Sequence, residues 1–437
     1  IVGDNGASAE GTLHGAWSAP SFQNGFPEDP EWLLAHMDDF GSPRCENHYN
    51  VGWAWGLDAP FQWMKQVASH FGGTRNATVV AWPKEIKDAG GLRSQFHHVI
   101  DIMPTILEAA GIAAPDAVNG VPQQPLEGVS MAYTFADKDV ASRHTTQYFE
   151  ILGNRAIYHD GWIASCFHGR VPWIRSKSMP FGAEETWELY NVADDFSQSV
   201  DLAAEHPEKL KALQVLFDQE ARKYNVYPLD DNTTQRGLPH HRPSLIEGRT
   251  KFTFYRENVR MPELSTVNVK NTSFDLTAEL VIPEAGAEGV VVCQGGNMAG
   301  WSLYVRDNKP VYFYNWMGHE LYAVESTAQL PTGPVTLKFT FDYDGGGLGK
   351  GGTAHLSVNG KPVAAGRIEK TVPFIFSMSG ETFDVGEDTG APVGPYAHGF
   401  PFTGTIQKIE IELRDAPDAA AQQAVQQGQV NAALKAQ

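Results

Sequence analysis

In the stretch VTLKFTFDY, Leu337, Phe339 and Phe341 alternate with Lys338, Thr340 and Asp342. An extended chain turns successive side chains to opposite faces, so this alternation gives one buried face and one wet face. Similar short runs follow one another at close intervals: KFTFY, SFDLTAELVI, GVVVCQ, WSLYVRD, KPVYFYNW, TAHLSVNGKPVAAGRI and GTIQKIEIEL. Within TAHLSVNGKPV, the pair Asn359-Gly360 supports the positive φ angles of a type I′ turn and predicts a hairpin. Regular short strands with such turns predict an all-β jelly-roll sandwich over residues 251–414.

The preceding residues follow a different rule. A chain of 437 residues exceeds what one hydrophobic core usually serves, so two domains are expected. Residues 1–230 mix helical and strand signals. NATVVAWP, residues 76–83, reads as a buried strand stopped by Pro83. DIMPTILEAAGI reads as a short helix with Pro104 in its first turn and Gly111 after its end. Leu210, Leu213, Phe217, Ala221 and Tyr224 recur every three or four positions, which predicts a helix over 207–224 whose apolar stripe packs on a sheet. Residues 231–250 are polar, with Pro and Gly and no periodicity, and read as a linker. The adjacent His240 and His241 lack the one-face spacing of a helical metal pair and read as part of a solvated loop. The Ala/Gln-rich residues 415–437 read as a weak helix or a disordered tail.

Charge narrows the function classes. Lys+Arg 33 against Asp+Glu 52 leaves a net charge of -19, which argues against a nucleic-acid surface. No stretch approaches the roughly 18 apolar residues of a membrane span. Cys45, Cys166 and Cys293 are odd in number and far apart, so neither a disulfide framework nor a CxxC metal site is suggested, and they read as buried thiols.

The opening IVGDNG places Asp4, Asn5 and Gly6 directly after two apolar residues, as at the end of a buried parallel strand inside which the chain begins. Ligands of α/β proteins bind beyond such strand ends. A carboxylate beside an amide oxygen supplies hard ligands that suit Ca²⁺ or Mg²⁺ better than Zn²⁺, although Asp-Asn-Gly is also an ordinary turn. Downstream lie FQWMKQVASHFGGTRNATVVAWP, SQFHHVIDIMPTILEAAGI and WELYNVADDFSQSVDLA. Together with the opening DNG, and in this order, they resemble the sulfatase family of the alkaline phosphatase superfamily, in the style of large bacterial arylsulfatases with an added C-terminal domain.

The resemblance covers residues 1–230 and implies a partial α/β sandwich of the alkaline phosphatase type. It implies that Asp4 and Asn5 are the late pair of metal ligands, with Ca²⁺ the usual ion and Mg²⁺ an alternative. Lys65 is similar to the family lysine that contacts the sulfate oxygens, although it lies one residue further from Gly72-Gly73 than usual. His70 stands where relatives place a residue near the pocket, as a catalytic candidate or a packed loop histidine. His48, with Trp53 and Trp55, reads as a lining of the substrate mouth, or the aromatics as core. Arg75 reads as a structural ion-pair partner, and His97 and His98 as helpers at the start of the DIMPT helix.

The family nucleophile is a formylglycine made from Cys or Ser in a C/S-x-P-x-R motif. SAPSF comes nearest here and lacks the arginine. In relatives the nucleophile, the early aspartates and the first catalytic histidine all precede the DNG strand. The expectation is therefore a C-terminal portion of a sulfatase, partnered by an N-terminal segment of the same protein and inactive alone. Its substrate would be a small sulfate monoester, with aryl sulfates favoured. The compartment stays open between bacterial cytoplasm and periplasm. The sandwich resembles laminin-G and concanavalin-like modules, which suggests a carbohydrate partner. Asp384, Glu387 and Asp388 read as an acidic loop, either a Ca²⁺ site or a solvated turn. Competing readings are a phosphonate or phosphate monoester hydrolase of the same superfamily and a non-catalytic carbohydrate-binding protein.

Overall fold

The strand alternation read from VTLKFTFDY is present residue for residue. The structure, a computed structural model, describes residues 1–26, 28–169, 171–173, 179–182, 185–232, 245–246, 248–377 and 380–414. Most of the expected linker, including His240 and His241, and the expected tail at 415–437 lie outside the described residues. By contact the chain forms two compact units, residues 1–9 with 51–233 and residues 10–50 with 234–437.

The strands used below are β1 (Thr146–Ile151), β2 (Asn154–His159), β3 (Trp162–Cys166), β4 (Trp187–Asn191), β5 (Lys251–Phe254), β6 (Met261–Pro262), β7 (Phe274–Ile282), β8 (Gly289–Gly295), β9 (Gly300–Arg306), β10 (Lys309–Trp316), β11 (Glu320–Glu325), β12 (Gly333–Tyr343), β13 (Lys350–Val358), β14 (Lys361–Lys370), β15 (Thr382–Val385) and β16 (Thr405–Leu413).

The second unit is a sandwich of two six-stranded sheets, ordered β11-β10-β9-β8-β15-β6 and β14-β13-β12-β7-β16-β5. On β12, Leu337, Phe339 and Phe341 are buried while the residues between them are not. Phe339 stacks on Tyr312 of the facing sheet with ring centroids 3.7 Å apart. Asn359 and Gly360 have φ of 49° and 74° and close the β13–β14 hairpin, as a type I′ turn requires. Strands β8 and β10 are buried nearly throughout because both faces are covered. One face joins the sandwich core. On the other, Val290, Cys293, Tyr304, Val311 and Phe313 pack against Val393, Tyr396 and Phe400 of the segment before β16.

Residues 10–50 also belong to this unit, whereas the sequence grouped them with the N-terminal region. The reason lies in contacts the sequence does not advertise. Trp17, Leu33 and Cys45 share a buried cluster with Met298. Asn24, 2% exposed, accepts hydrogen bonds from the backbone N–H groups of Phe374 (2.9 Å) and Ile375 (3.1 Å) and donates to the Ile375 carbonyl (2.8 Å). His319 Nε2 lies 2.9 Å from both Ser21 Oγ and Glu28 Oε1.

The first unit contains an antiparallel sheet ordered β1-β2-β3-β4. The helix Pro207–Lys223 lays Leu213, Phe217 and Ala221 against Ile157, Ala164 and Leu189 of that sheet, as its periodicity predicted. The helix Ile102–Ala110 ends at Gly111, whose φ of 66° is the left-handed stop expected there.

Two expectations are corrected. Val2 forms a single antiparallel bridge with Thr78, so Asp4 and Asn5 do not follow a parallel strand. Val79 and Val80 are 60% and 44% exposed rather than buried, their run being paired only with the short stretch Ile1–Gly3. Among the described residues of this unit every strand ladder is antiparallel, so the expected α/β sandwich is not displayed.

Candidate active site

The turn at Asp4-Asn5-Gly6 is seated on the glycine pair 72–73. Gly6 N donates to Gly73 O at 3.4 Å, and a Cβ added to Gly6 would fall 1.6 Å from Gly72 O. No side chain fits at that approach. Gly72 is equally confined, since its Cβ would meet Trp63 O at 2.1 Å and Gln62 O at 2.3 Å. The intervening loop closes tightly, with Gly72 N donating to Gln62 O (2.9 Å) and Val67 N to Met64 O (3.1 Å).

Lys65 sits in this loop between two residues in the left-handed region, Trp63 (φ 64°) and Gln66 (φ 75°). Such backbone costs of order 1 kcal/mol per residue and persists only where the surroundings impose it. Here the imposing contacts are visible. Lys65 N donates to Ala7 O at 3.0 Å, and Ala7 N donates to Asp58 Oδ1 at 2.9 Å. Met64 is fully buried in a cluster with Ala9 and Ala54, flanked by Ala7. The segment that follows the Asp-Asn-Gly turn is thus stitched to the backbone of Lys65, and Lys65 itself is half-buried.

A carboxylate and an amide oxygen are both hard donors of the kind Ca²⁺ and Mg²⁺ take. Asp4 is exposed. Asn5 Nδ2 donates to Gly6 O at 2.9 Å, which fixes the amide and commits its nitrogen, leaving the side-chain oxygen as the ligand atom. The Asp58 Oδ2 oxygen is buried with no hydrogen-bond partner. Burial pushes the Asp58 carboxyl up, only partly offset by the Ala7 N–H. Asp58 escaped the sequence reading because no motif surrounds it, and only its contact with Ala7 reveals it.

The other sequence candidates separate. His70 is 1% exposed, and both ring nitrogens are engaged: Nδ1 lies 2.9 Å from Ser69 Oγ and Nε2 2.9 Å from Glu188 Oε2. It anchors the glycine pair to β4 and presents no open nitrogen. His48 belongs to the second unit, where its backbone bridges Ala16. Trp53 and Trp55 are 66% and 46% exposed on the helix Val51–Asp58, not core. Arg75 lies over aromatic rings, 3.9 Å from the Phe196 centroid, and has no ion-pair partner among the described residues. His98 does help start the DIMPT helix, its N–H donating to Asp101 Oδ2 at 2.9 Å, and His97 Nδ1 and His144 Nδ1 also reach that oxygen, at 3.2 and 2.8 Å.

No family model matches the chain. Among solved structures, a sulfatase from work on the metabolism of multiple glycosaminoglycans by Bacteroides thetaiotaomicron is 23% identical over 35% of this chain and 30% of its own, with a TM-score of 0.26. The carbohydrate-binding CBM40 module of a Ruminococcus gnavus IT-sialidase is 14% identical over 36% of this chain and 84% of its own, with a TM-score of 0.26. Mouse laminin α1 domains LG4-5 are 13% identical over 39% and 41%, with a TM-score of 0.24. The chain therefore spans less than a third of the length of the sulfatase it matches, and TM-scores this low define neither fold nor function.

Proposed function

We propose that this chain contributes to a sulfate monoester hydrolase, with Asp4 and Asn5 holding a divalent cation, Ca²⁺ first and Mg²⁺ second. Lys65 supplies the positive charge that receives the sulfate oxygens. The observation that carries this reading is the seating of the Asp-Asn-Gly turn on Gly72-Gly73 with Ala7 hydrogen-bonded to the Lys65 backbone. Two sequence motifs some sixty residues apart become one small folded object, as cation ligands and an anion-binding ammonium require.

A cation bound there would act as a Lewis acid on the ester. The residues of this chain do the remainder. The Lys65 ammonium hydrogen-bonds the non-bridging oxygens and the leaving oxygen, where negative charge grows as the S–O bond breaks. Asp58 fixes Ala7, and through it the distance between the turn and Lys65. His70 is a positioning residue for the glycine pair. No C/S-x-P-x-R motif occurs among residues 1–437, so the attacking group is assigned to none of them.

The test is hydrolysis of an aryl sulfate and of the matching aryl phosphate by the complete protein, with Ca²⁺ or Mg²⁺ supplied. Preferential sulfate release, with kcat reduced by roughly 10²–10³-fold in Lys65→Ala, is expected from loss of one transition-state charge donor. Preferential phosphate release would transfer the site to the phosphoesterases of the same superfamily. Cleavage of neither ester, with binding of sugars, would replace it with the carbohydrate-binding reading.

A further inference from the structure

Beneath the segment that covers the outer face of the β11-β10-β9-β8-β15-β6 sheet lies a group of polar side chains that the proposed ester hydrolysis does not use. Cys293 on β8 pairs across the sheet with Asp384 on β15 and with Ser302 on β9, so the three side chains point to the same face. Asp388 approaches from the covering segment. One ligand atom each from Cys293, Asp384 and Asp388 lie within 4.8 Å of one another. The three residues are 0%, 1% and 1% exposed.

Asp384 is locked in place. It accepts hydrogen bonds from Arg260 N (2.5 Å), Thr382 Oγ1 (2.9 Å), Thr389 Oγ1 (3.0 Å) and Thr389 N (3.4 Å). Asp388 is only half satisfied. Its Oδ2 accepts from Val393 N (3.0 Å) and Tyr396 OH (2.8 Å), whereas the buried Oδ1 has no partner. Leaving a charged oxygen dry and unpaired costs several kcal/mol, so proteins normally protonate such a group or give it a cation. Burial pushes up both the Asp388 carboxyl and the Cys293 thiol, the latter further opposed by the neighbouring aspartates. A bound cation would reverse that opposition for both groups at once.

From sequence, Asp384, Glu387 and Asp388 read as an acidic loop, either a Ca²⁺ site or a solvated turn. The fold instead buries both aspartates and brings a thiol to their side, with Cys293 Sγ 3.8 Å from the Glu387 carbonyl oxygen. A set of one sulfur and two carboxylates selects a borderline ion such as Zn²⁺ over Ca²⁺ or Mg²⁺. We propose that Cys293, Asp384 and Asp388 bind one zinc-class divalent cation that pins residues 386–402 to the sheet. Binding forms one metal–sulfur and two metal–oxygen bonds, and releases the thiol proton, with that of Asp388 where present, to solvent.

The experiment uses the full chain stripped with chelator, desalted, and titrated with Zn²⁺ and with Cd²⁺, whose thiolate complex absorbs in the ultraviolet. An Asp4→Ala background removes any ion at the ester site from the count. Expected are one Zn²⁺ per chain, a Cd–thiolate band, and slower amide exchange over 386–402 on metal addition. Cys293→Ser abolishes the band, and Asp388→Asn weakens Zn²⁺ retention at least tenfold. The proposal is overturned by no band in the chain with Cys293 intact, by equal Zn²⁺ stoichiometry in that chain and both variants, or by protection of 386–402 with Ca²⁺ but not Zn²⁺. The wild-type band and exchange need neither variant to fold.

Discussion

At the scale of single residues, the proposed ester site depends on atoms that are missing as much as on atoms present. Gly72→Ala would drive a methyl group to 2.1 Å from Trp63 O, and neither backbone oxygen beside it can rotate away. A loss of about 1–3 kcal/mol is expected, measured by chemical denaturation. Any ester hydrolysis should fall further than stability, because the same distortion displaces Lys65. The Asp101 cluster gives a pH signature. Burial alone would disfavour both charged forms, but the bonds to His144, His97 and the backbone hold Asp101 well below the usual carboxylate range. Burial likewise works against the His144 imidazolium, and its bond to Asp101 outweighs that and raises its pKa. The histidine contribution to stability is therefore complete below about pH 6.5 and lost as pH rises through its higher folded value. The carboxylate contribution is complete above about pH 4 and lost on acidification. Thermal midpoints should decline as pH rises above about 6.5, and Asp101→Asn should be less stable with a flatter profile. The motifs that hold Asp4, Asn5 and Lys65 could be read because each is local. The Glu188 partner that buries His70 was not, being 118 positions away.

At the scale of elements, periodicity succeeded where it described a surface and failed where it described an environment. The helix Pro207–Lys223 announced its own buried face. Phe217, 1% exposed, touches the sheet through that stripe, and Phe217→Ala should cost about 3–5 kcal/mol in urea denaturation. The hairpin at Asn359-Gly360 was equally legible. No atom lies within 4 Å of a Cβ built on Gly360, so Gly360→Ala should cost only the positive φ, roughly 1 kcal/mol by the same assay. The run NATVVAWP has the composition of a buried strand, but composition cannot state what lies beside it. Likewise GVVVCQ read as a strand without showing that both its faces are buried, or that a loop lies over its outer side.

At the scale of the whole molecule, the sequence located the change of architecture near residue 250 but not the membership of residues 10–50. Their attachment rests on polar and aromatic contacts scattered over the sandwich, of a kind that leaves no periodic trace. Asn24→Ala would strip the Phe374 and Ile375 amides of their acceptor in a buried place, a penalty of about 1–3 kcal/mol. Hydrogen exchange should then show residues 10–50 opening while β12 and β7 stay protected, and uniform opening would refute the arrangement.

The bond between Asn24 and Ile375 also joins positions 351 apart. A ribosome adds about 5–20 residues per second, so Asn24 leaves the tunnel roughly 20–70 s before its partner exists. Throughout that wait Trp17 and Trp32 have no sandwich to cover them, so this apolar stretch of the nascent chain stays uncovered until the later strands arrive.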